Sequence, residues 1–490
     1  MKIVLSPLYE FIPSEDERSH IEKLASSFLE RSHIQDLKKR YIPYQVTDTQ
    51  SDTPSLVVCD FSGIPFLDNI IGVEFYQYRL RVLAGSSDII CGTFPLDPAL
   101  EDYDEKYLGI GRPTYVPIEE KKYHNFLIAK KISSHQHSLD KLAKEVKKKK
   151  IEYLHPYMGV KDVWEVAIDL SKKVGRKIKV FAPPPYVCKW ANDKAFFTYF
   201  VRKILGSNEV PQAKWANHLE AIVDCLKVLI PQFPKVALKI ADYASAMGNI
   251  VYRSENLKAL SDEELKEKIY LDLARHDWTD GDTVCAVQWR ENVLTSPSAQ
   301  VWIPHPREGY PIIEGIFEQF LQGETKIFQG SRPSTLPSRL NDLIAKKTFL
   351  MALFFQYLGY VGRCSFDLIV CGDSYDQCEI QLVECNGRWG GTSLPMSFMN
   401  RLFGNHHKLS YKAIDVIHPK LKGLSFKKFL SIFRREELYQ PHNQKGHFLF
   451  YNTACMKPVA KCDVIALGSS FKEAEKRADH DLIELIEKSL

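Results

Sequence analysis

The sequence contains no apolar run that approaches the ~20 residues needed to span a bilayer. It also lacks the pattern of a secretory signal peptide, because Met1–Leu5 is short and is soon followed by Pro7 and by acidic residues. These two absences predict a cytoplasmic protein that has no membrane partner.

The sequence has no strong excess of charge of either sign. Its 65 Lys and Arg residues against 61 Asp and Glu residues give a formal net charge of +4. The one basic run, Lys147–Lys150, ends a predicted helix, where cations interact favourably with the helix dipole. Because binding to nucleic acid would need a basic patch or stripe, no nucleic-acid partner is expected.

The cysteines show neither clustering nor an even count. There are 11 of them and no Cys-x-x-Cys pair, which is typical of reduced thiols in a cytoplasmic protein. Four of them recur at intervals of seven residues, namely Cys364, Cys371, Cys378 and Cys385. Since an interval of seven alternates between the two faces of a strand, we interpret this spacing as a coincidence and not as a metal site.

Two common glycine-rich nucleotide motifs are also missing. No Gly-x-x-x-x-Gly-Lys sequence occurs, and 109–111 lacks the third glycine that opens a helix in the dinucleotide fingerprint. A nicotinamide site is therefore not expected.

The order of the predicted elements indicates several domains, about three if ~150 residues make one domain. Short apolar strands alternate with helices in the first third of the chain, which predicts a parallel, Rossmann-like sheet. These strands are predicted at Leu56–Asp60, Asp88–Gly92, Phe126–Ala129, Ile151–Leu154 and Ile178–Phe181. The sequence Pro183-Pro184-Pro185 marks the clearest boundary.

The strongest chemical pattern is Glu384-x-Asn386-x-Arg388-x-Gly390-Gly391. In an extended chain Glu384 and Asn386 project from the same face, and their oxygens are hard donors of the kind that Mg²⁺ prefers. Arg388 would add a planar cation suited to phosphate or carboxylate oxygens. The two glycines leave backbone amides open to a ligand. Taken alone, the pattern is also typical of a hairpin strand that ends in a turn.

A second acidic residue strengthens the metal hypothesis. Asp367 lies on the preceding predicted strand, and a turn at 372–376 brings the chain back toward Glu384. Cross-strand side chains of a hairpin can meet, so three oxygen ligands could converge on one point. We therefore predict that Asp367, Glu384 and Asn386 bind a divalent metal.

An Asp on one strand followed by Glu-x-Asn-x-Arg-x-Gly-Gly on the next resembles the metal-binding end of the ATP-grasp ligase superfamily. The similarity extends to Asn192-Asp193-Lys194 at the start of a helix, and to an apolar strand, a small-residue loop and a second strand over 235–252. The resemblance implies that Lys194 and Lys239 bind ATP phosphates.

The same resemblance implies roles for further residues. Ser245 and Gly248 would belong to the phosphate lid, although the family loop is usually richer in glycine. Gln288 and Glu291 would belong to the adenine hinge, which often opens with Glu where this chain has Gln288. Arg388 would be the catalytic contact to an acyl phosphate, and Gly390 and Gly391 would bind substrate.

Within the superfamily the chain is most similar to pheganomycin-type peptide ligases. That similarity implies an α/β and α+β fold with a Rossmann-like pre-ATP-grasp domain (1–185), a two-lobed ATP-grasp domain (186–420) and a small C-terminal α+β cap (421–490). It implies an ATP- and Mg²⁺-dependent ligase that joins a carboxylate, an amino acid or peptide, to an amine through an acyl phosphate. Mn²⁺ is an alternative to Mg²⁺. The oligomeric state is left open, and a homodimer is one alternative.

Two other classes remain open. One is a non-catalytic nucleotide-binding regulatory protein, and the other is an ATP-grasp enzyme that modifies a protein side chain. The sequence does not disclose the acid or the amine, because substrate pockets are formed by loops that carry no readable code.

Overall fold

A computed structural model describes residues 2–48, 53–64, 72–119, 127–240, 249–323 and 327–489. Two residues predicted for the phosphate lid, Ser245 and Gly248, lie outside the described residues. Within these ranges, no helix is both long enough and apolar enough to cross a bilayer.

The described strands are β1 (Tyr9–Glu10), β2 (Ser55–Val58), β3 (Ile89–Gly92), β4 (Thr114–Pro117), β5 (Tyr153–Pro156), β6 (Lys179–Val180), β7 (Ala213–Ala216), β8 (Lys235–Ile240), β9 (Asn249–Arg253), β10 (Val284–Gln288), β11 (Val293–Thr295), β12 (Pro297–Ile303), β13 (Ile312–Gln322), β14 (Ile327–Pro333), β15 (Gly362–Ser374), β16 (Gln377–Asn386), β17 (Ser410–Ile417), β18 (Phe448–Asn452) and β19 (Lys461–Gly468).

The described α-helices are α1 (Glu15–Arg31), α2 (Gln35–Tyr41), α3 (Pro98–Asp102), α4 (Ile128–Ser134), α5 (Gln136–Lys148), α6 (Lys161–Val174), α7 (Pro185–Asn192), α8 (Lys194–Ile204), α9 (Leu219–Leu229), α10 (Ser254–Lys258), α11 (Asp262–Ala274), α12 (Ser338–Tyr357), α13 (Ser393–Phe403), α14 (Phe426–Leu430), α15 (Met456–Val459), α16 (Phe471–Lys476) and α17 (Leu482–Ser489). The segment Val73–Leu83 is a 3₁₀ helix.

The N-terminal sheet is parallel, with strand order β4-β3-β2-β5-β6, as the alternation of strands and helices predicts. The predicted strand at 126–129 is wrong over 127–129, and Phe126 lies outside the described residues. Ile128 begins α4 instead, and Ile128, Ala129 and Ile132 are all buried at helical spacing. One edge strand of the sheet is β4, whose run Thr114-Tyr115-Val116-Pro117 is too polar and too short to be recognised from the sequence.

A small lobe is built on the antiparallel sheet β7-β10-β8-β9. Alternate residues of β8, namely Val236, Leu238 and Ile240, pack in the core that the sheet forms with α9 and α11. Because side chains alternate along a strand, Lys239 lies on the opposite face with Ala237. The lobe therefore turns its lysine away from its own core.

Helix α11 of this lobe begins with a capping box. The Ser261 side chain accepts a hydrogen bond from the Glu264 backbone N–H, and the Glu264 carboxylate accepts one from the Ser261 backbone N–H. Ser261→Ala is expected to lower the local stability of α11 by about 1 kcal/mol. Hydrogen exchange of α11 peptides measures this change, and Ser261→Thr, which preserves the cap, is the control. Equal exchange in the two variants would contradict the prediction.

The large sheet has the order β11-β15-β12-β13-β14-β17-β19-β18, with β16 paired to β15 and β1 paired to β13. Strand β17 connects two parts of the chain, because it pairs with β14 on one side and with β19 on the other. The C-terminal strands thus continue the central sheet. The boundary predicted at residue 421 stays a prediction.

Candidate active site

The predicted metal ligands lie on the β15–β16 hairpin. Asp367 is the Cα partner of Glu384 across the hairpin, and Ser365 is the partner of Asn386. The register shifts between Asp367 and Leu368, which pair with Glu384 and Leu382 and leave Val383 as an extra residue. A bulge of this kind exchanges the faces of a strand.

The bulge explains how one strand serves both the core and a cavity. Ile380 and Leu382 are buried in the core before the bulge, and Cys385 is buried in the same core after it. Glu384 and Asn386 therefore line the cavity, although they have the same parity as Leu382. On β15 the alternation is regular, with Phe366 and Leu368 in the core and Asp367 on the cavity side.

Three donors orient the Asp367 carboxylate. Ser298 Oγ donates to Oδ1 at 2.6 Å, and Gln319 Nε2 donates to the same oxygen at 3.1 Å. Asn386 Nδ2 donates to Oδ2 at 2.9 Å. Because the Asn386 nitrogen is directed at Asp367, its amide oxygen is left as the acceptor, which is the atom a metal would need.

The electrostatics of this group favour a bound cation. Burial, together with the negative charge of Glu384, raises the pKa of Asp367 to about 7. Burial also acts to raise the pKa of Glu384, but Lys194, Lys239 and Arg388 outweigh it and hold that pKa below its usual value. Two close carboxylates and an amide oxygen fit a hard divalent ion such as Mg²⁺. The described residues contain no cluster of three or more His, Cys, Asp or Glu side chains suited to a metal.

Two lysines approach the carboxylates from different elements. Lys194 opens α8, directly after the N-cap Asp193, and its Nζ is 3.6 Å from Glu384 Oε2. Lys239 comes from the small lobe, and its Nζ lies 5.6 Å from the centre of the Trp289 ring. Burial and then the nearby charge of Lys194 lower the pKa of Lys239. An anionic ligand between these two cations would relieve their repulsion.

Arg388 is held by the end of α7. Asn192 Oδ1 accepts hydrogen bonds from Arg388 Nη1 and from the Gly387 N–H, the latter at 3.1 Å. A Cβ at position 387 would come within 2.8 Å of Asn192 Nδ2, so glycine permits this close approach. Because Asn192 is neutral, this bond orients the guanidinium without neutralising its charge.

The glycines after Arg388 also border the cavity. The Gly390 N–H donates to Ser393 Oγ at 2.7 Å. This amide was predicted to contact substrate, but it is already hydrogen-bonded within the protein. A Cβ at Gly391 would lie 2.9 Å from Phe328 Cε1. Larger residues would therefore narrow the cavity at this point.

The predicted adenine hinge is only partly at the cavity. Gln288 ends β10 and lines the cavity together with Trp289 and Arg290. Its backbone N–H donates to the Gln212 carbonyl at 2.8 Å. Glu291 is not among the described lining residues, and its carboxylate pairs with Lys235 at 3.0 Å. Its contact with ATP stays a prediction.

One cavity of about 1300 Å³ joins these groups. The predicted site residues that line it are Lys194, Lys239, Gln288, Asp367, Glu384, Asn386, Arg388, Gly390 and Gly391. Ser298 and Gln319, which bind Asp367, and Asn192, which binds Arg388, were not predicted as polar partners. Ser298 is the Cα partner of Asp367 on β12, a pairing that only the sheet register reveals. Asn192 belongs to the Asn-Asp-Lys motif, so the sequence did contain a signal that this residue lies at the site.

Comparison of the sequence with protein-family models and with curated proteins gives no match. Similar folds occur among solved structures. Pyruvate carboxylase from Rhizobium etli, solved with the activator acetyl coenzyme A, has a TM-score of 0.53 at 12% identity over 87% of this chain. The chain spans only 37% of the length of that enzyme.

Two biotin carboxylases match over most of both chains. The Campylobacter jejuni enzyme, solved with an ATP analogue, has a TM-score of 0.52 at 12% identity and covers 87% of this chain and 89% of its own. The biotin carboxylase domain of Hydrogenobacter thermophilus 2-oxoglutarate carboxylase, solved with MgADP and bicarbonate, has a TM-score of 0.50 at 12% identity, with coverages of 87% and 88%. These similarities concern the fold, and they confirm the predicted fold class.

Proposed function

We propose that this chain is an ATP- and Mg²⁺-dependent ligase that joins a carboxylate, an amino acid or peptide, to an amine through an acyl phosphate. The observation that carries the proposal is the convergence, in one cavity, of Asp367, Glu384 and Asn386 with Arg388 and the two lysines. The fold supports it, because the MgADP and the ATP analogue of the similar structures belong to proteins with this architecture.

Each group has a role in phosphoryl transfer, which depends mainly on positioning and on charge neutralisation. Lys194 and Lys239 bind the phosphates of ATP as point charges. Asp367, Glu384 and Asn386 would hold Mg²⁺, which when bound neutralises phosphate charge. Arg388, held by Asn192, orients the substrate carboxylate beside the γ-phosphate.

The reaction has two balanced steps. A carboxylate oxygen attacks the γ-phosphorus, the bond to the β-phosphate oxygen breaks, and ADP leaves. An amine that has lost one proton to solvent then attacks the acyl carbon, and the C–O bond to phosphate breaks. The second amine proton passes to phosphate or solvent, and an amide and phosphate are released. Arg388 stabilises the negative charge of the acyl phosphate in both steps.

The finer assignments belong to the same proposal. The chain acts as a pheganomycin-type peptide ligase, with Mg²⁺ as the metal and Mn²⁺ as an alternative. It works in the cytoplasm, either as a monomer or as a homodimer. A non-catalytic regulatory protein would bind ATP without turnover. An enzyme that modifies protein side chains would transfer the acyl group to a protein and not to a small amine.

Hydroxylamine trapping tests the proposal before the amine is known. Purified protein is incubated with MgATP, hydroxylamine and single acids from a panel of amino acids, short peptides and bicarbonate. An acyl phosphate reacts with hydroxylamine to give a hydroxamate, which mass spectrometry identifies. With an ¹⁸O-labelled carboxylate, one labelled oxygen is expected in the released phosphate, because the attacking oxygen leaves with phosphorus.

The outcomes separate the classes. ADP release with hydroxamate and labelled phosphate supports the ligase. ATP binding without ADP release for every acid would overturn it in favour of a regulatory protein. A product formed from bicarbonate alone, which would be N-hydroxycarbamate, would mean that the activated acid is bicarbonate and not an amino acid or peptide.

Lys239→Ala is expected to weaken binding of a non-hydrolysable ATP analogue by about 10- to 100-fold, because a charge-assisted contact to phosphate is lost. Calorimetry measures the affinity. Lys227→Ala is the control, since Lys227 belongs to the same lobe but pairs with Asp262 at 2.7 Å. Equal affinity in the Lys239 variant and the wild type would mean that the lysine only extends its stem across the apolar surface.

A further inference from the structure

A buried cation lies behind the loop that carries Arg388. Arg363 is on β15, four residues before Asp367, and the alternation of the strand places both side chains on the face opposite the buried Phe366. Ser365 and Asp367 of this row border the cavity. Arg363 does not belong to the described lining residues, and its side chain is 0% exposed. Any effect of Arg363 on the reaction must therefore pass through a neighbouring residue.

Two tryptophans enclose the guanidinium of Arg363. Its central carbon lies 5.2 Å from the centre of the Trp302 ring and 5.3 Å from the centre of the Trp389 ring. Trp302 is the Cα partner of Arg363 on β12, whereas Trp389 comes from the loop after β16. A cation is attracted to the faces of aromatic rings, and more strongly when water is excluded. The guanidinium therefore binds the Trp389 ring to the large sheet.

Glu314 supplies the negative charge beside this cation. It forms an ion pair with Arg363, and both side chains are 0% exposed. Glu314 is the extra residue of a β-bulge in β13, and a bulge can redirect a side chain. Its Oε1 also accepts a hydrogen bond from the Ser6 N–H at 3.1 Å. The pair thus neutralises the charge of Arg363 inside the protein.

Stability alone does not account for an ion pair of this kind. Among the described residues, Arg363 Nε, Nη1 and Nη2 have no hydrogen-bond partner, although a guanidinium has five N–H donors. Unmade hydrogen bonds in the interior of a protein cost free energy. Replacing a buried ion pair by apolar side chains is often neutral or stabilising. What Arg363 contributes instead is its contact with the two tryptophan rings.

Trp389 connects this cation to the cavity, because it directly follows Arg388. Arg388 and Gly390 line the cavity, whereas Trp389 is only 5% exposed and packs in the core. The Trp389 N–H donates to the Tyr157 carbonyl at 3.1 Å, and Arg388 forms an isolated antiparallel bridge with Met158. A buried ring on one side of this short segment therefore fixes the direction of the side chain on the other.

We propose that Arg363 is a positioning residue, which anchors Trp389 so that Arg388 stays directed at the acyl phosphate. Asn192 holds the guanidinium of Arg388, and Trp389 holds the backbone from which that side chain extends. Arg363 touches neither substrate nor metal in this role. The inference rests on the proposed function, because it concerns the contact that Arg388 makes in that reaction.

The paired variant Glu314→Gln with Arg363→Met tests this role. Removing both charges avoids an unpaired charge in the interior, so the fold should persist. Affinity for a non-hydrolysable ATP analogue should be unchanged, because Lys194 and Lys239 are not affected. The kcat for hydroxamate formation should fall on the order of 100-fold, since misplacing a catalytic group by about 1 Å has effects of that size. Calorimetry and hydroxylamine trapping measure the two quantities.

A second buried ion pair is the matched control. Arg81 Nη2 lies 3.3 Å from Asp104 Oδ2, the two side chains are 2% and 1% exposed, and neither belongs to the described lining residues. Arg81→Met with Asp104→Asn should change the melting temperature without lowering kcat. No hydroxamate in the wild type would be a failure of the proposed function, and the inference would fall with it. A folded Glu314 and Arg363 variant with the kcat of the wild type would overturn the inference alone.

A double-mutant cycle separates positioning from a general structural effect. If the ion pair acts through Arg388, its replacement should add little to the loss of kcat caused by Arg388→Lys, because that contact is already impaired. If the pair has a separate structural effect, the two losses in kcat should multiply. Losses that multiply would therefore overturn the inference.

Trp389→Phe provides a second test in case the paired variant does not fold. Phenylalanine keeps an apolar ring but is a weaker partner for a cation, so kcat should fall by about 3- to 10-fold with no change in ATP affinity. Trp302→Phe weakens the other side of the enclosure and leaves Trp389 in place, so its kcat should fall less. An equal loss in the two variants, or no loss in Trp389→Phe, would overturn the role of Trp389.

Discussion

Glu384→Gln is expected to lower turnover by about 1000-fold at saturating Mg²⁺, which corresponds to ~4 kcal/mol of lost transition-state stabilisation. The change keeps the shape of the side chain but removes one anionic ligand from the Asp367, Glu384 and Asn386 set. It also removes a negative charge near Lys194, whose Nζ is 3.6 Å from the carboxylate. ADP release with the acid found by hydroxylamine trapping measures the effect. A loss of similar direction is expected for Asn386→Ala.

The fold should tolerate the Glu384 substitution. The side chain is 31% exposed and lies after the bulge, on the cavity side of β16. Removing its charge also relieves repulsion of Asp367, so the melting temperature should not fall by more than a few degrees. Glu379→Gln is the control, because Glu379 lies on the same strand and pairs with Arg290 at 3.0 Å.

Metal binding gives a second measurement that does not depend on turnover. Titration with Mn²⁺ and ADP, followed by electron paramagnetic resonance, should show weaker metal binding in Glu384→Gln than in Glu379→Gln. Near wild-type turnover together with unchanged Mn²⁺ affinity would reject Glu384 as a metal ligand.

The pairing of Asp367 with Glu384 on the β15–β16 hairpin was predictable because its geometry is local. A short turn and the two-residue period of strands bring Asp367 opposite Glu384, and these two residues are Cα partners in the observed register. The sequence alone did not reveal the bulge at Val383. A regular strand would place Leu382, Glu384 and Asn386 on one face, and only an extra residue separates the apolar residue from the polar ones. Burying the Glu384 and Asn386 side chains in the core would cost free energy, and only the tertiary structure shows which face of the strand is the core.

Other parts of the structure were not predictable for related reasons. The segment at 126–129 looks like a strand in a short window, but Ile128 and Ile132 are buried on one side of α4. Arg79 lies on the 3₁₀ helix 73–83 and Asp463 lies on β19, so no local pattern of the sequence connects these two residues. Even the motif residue Asn192 acquires its partners Gly387 and Arg388 only when α7 packs against the end of β16.

Arg388→Lys is expected to bind ATP about as well as the wild type while losing amide formation by roughly 100-fold in kcat. Lysine preserves the charge but not the planar fork of donors that matches a carboxylate or phosphate. The bond from Arg388 to Asn192 leaves the charge of the guanidinium available, and that charge also lowers the pKa of the nearby Glu384. We expect the guanidinium to bind the acyl phosphate. Hydroxamate formation should fall in parallel with amide formation.

If Arg388 has a structural role, the expected results for its variants are different. If its main task were to brace the Gly390-Gly391 turn, Arg388→Lys would melt early and still form product at the normal rate. The turn has an independent support, because the Gly387 N–H donates to Asn192 Oδ1 at 3.1 Å whatever residue stands at 388. Asn192→Ala separates the two roles, since it removes both bonds without removing the guanidinium. We expect this variant to lose both melting temperature and kcat, whereas Arg388→Lys should lose kcat alone. Nucleotide affinity, melting temperature and product formation measured on the same preparations decide between them.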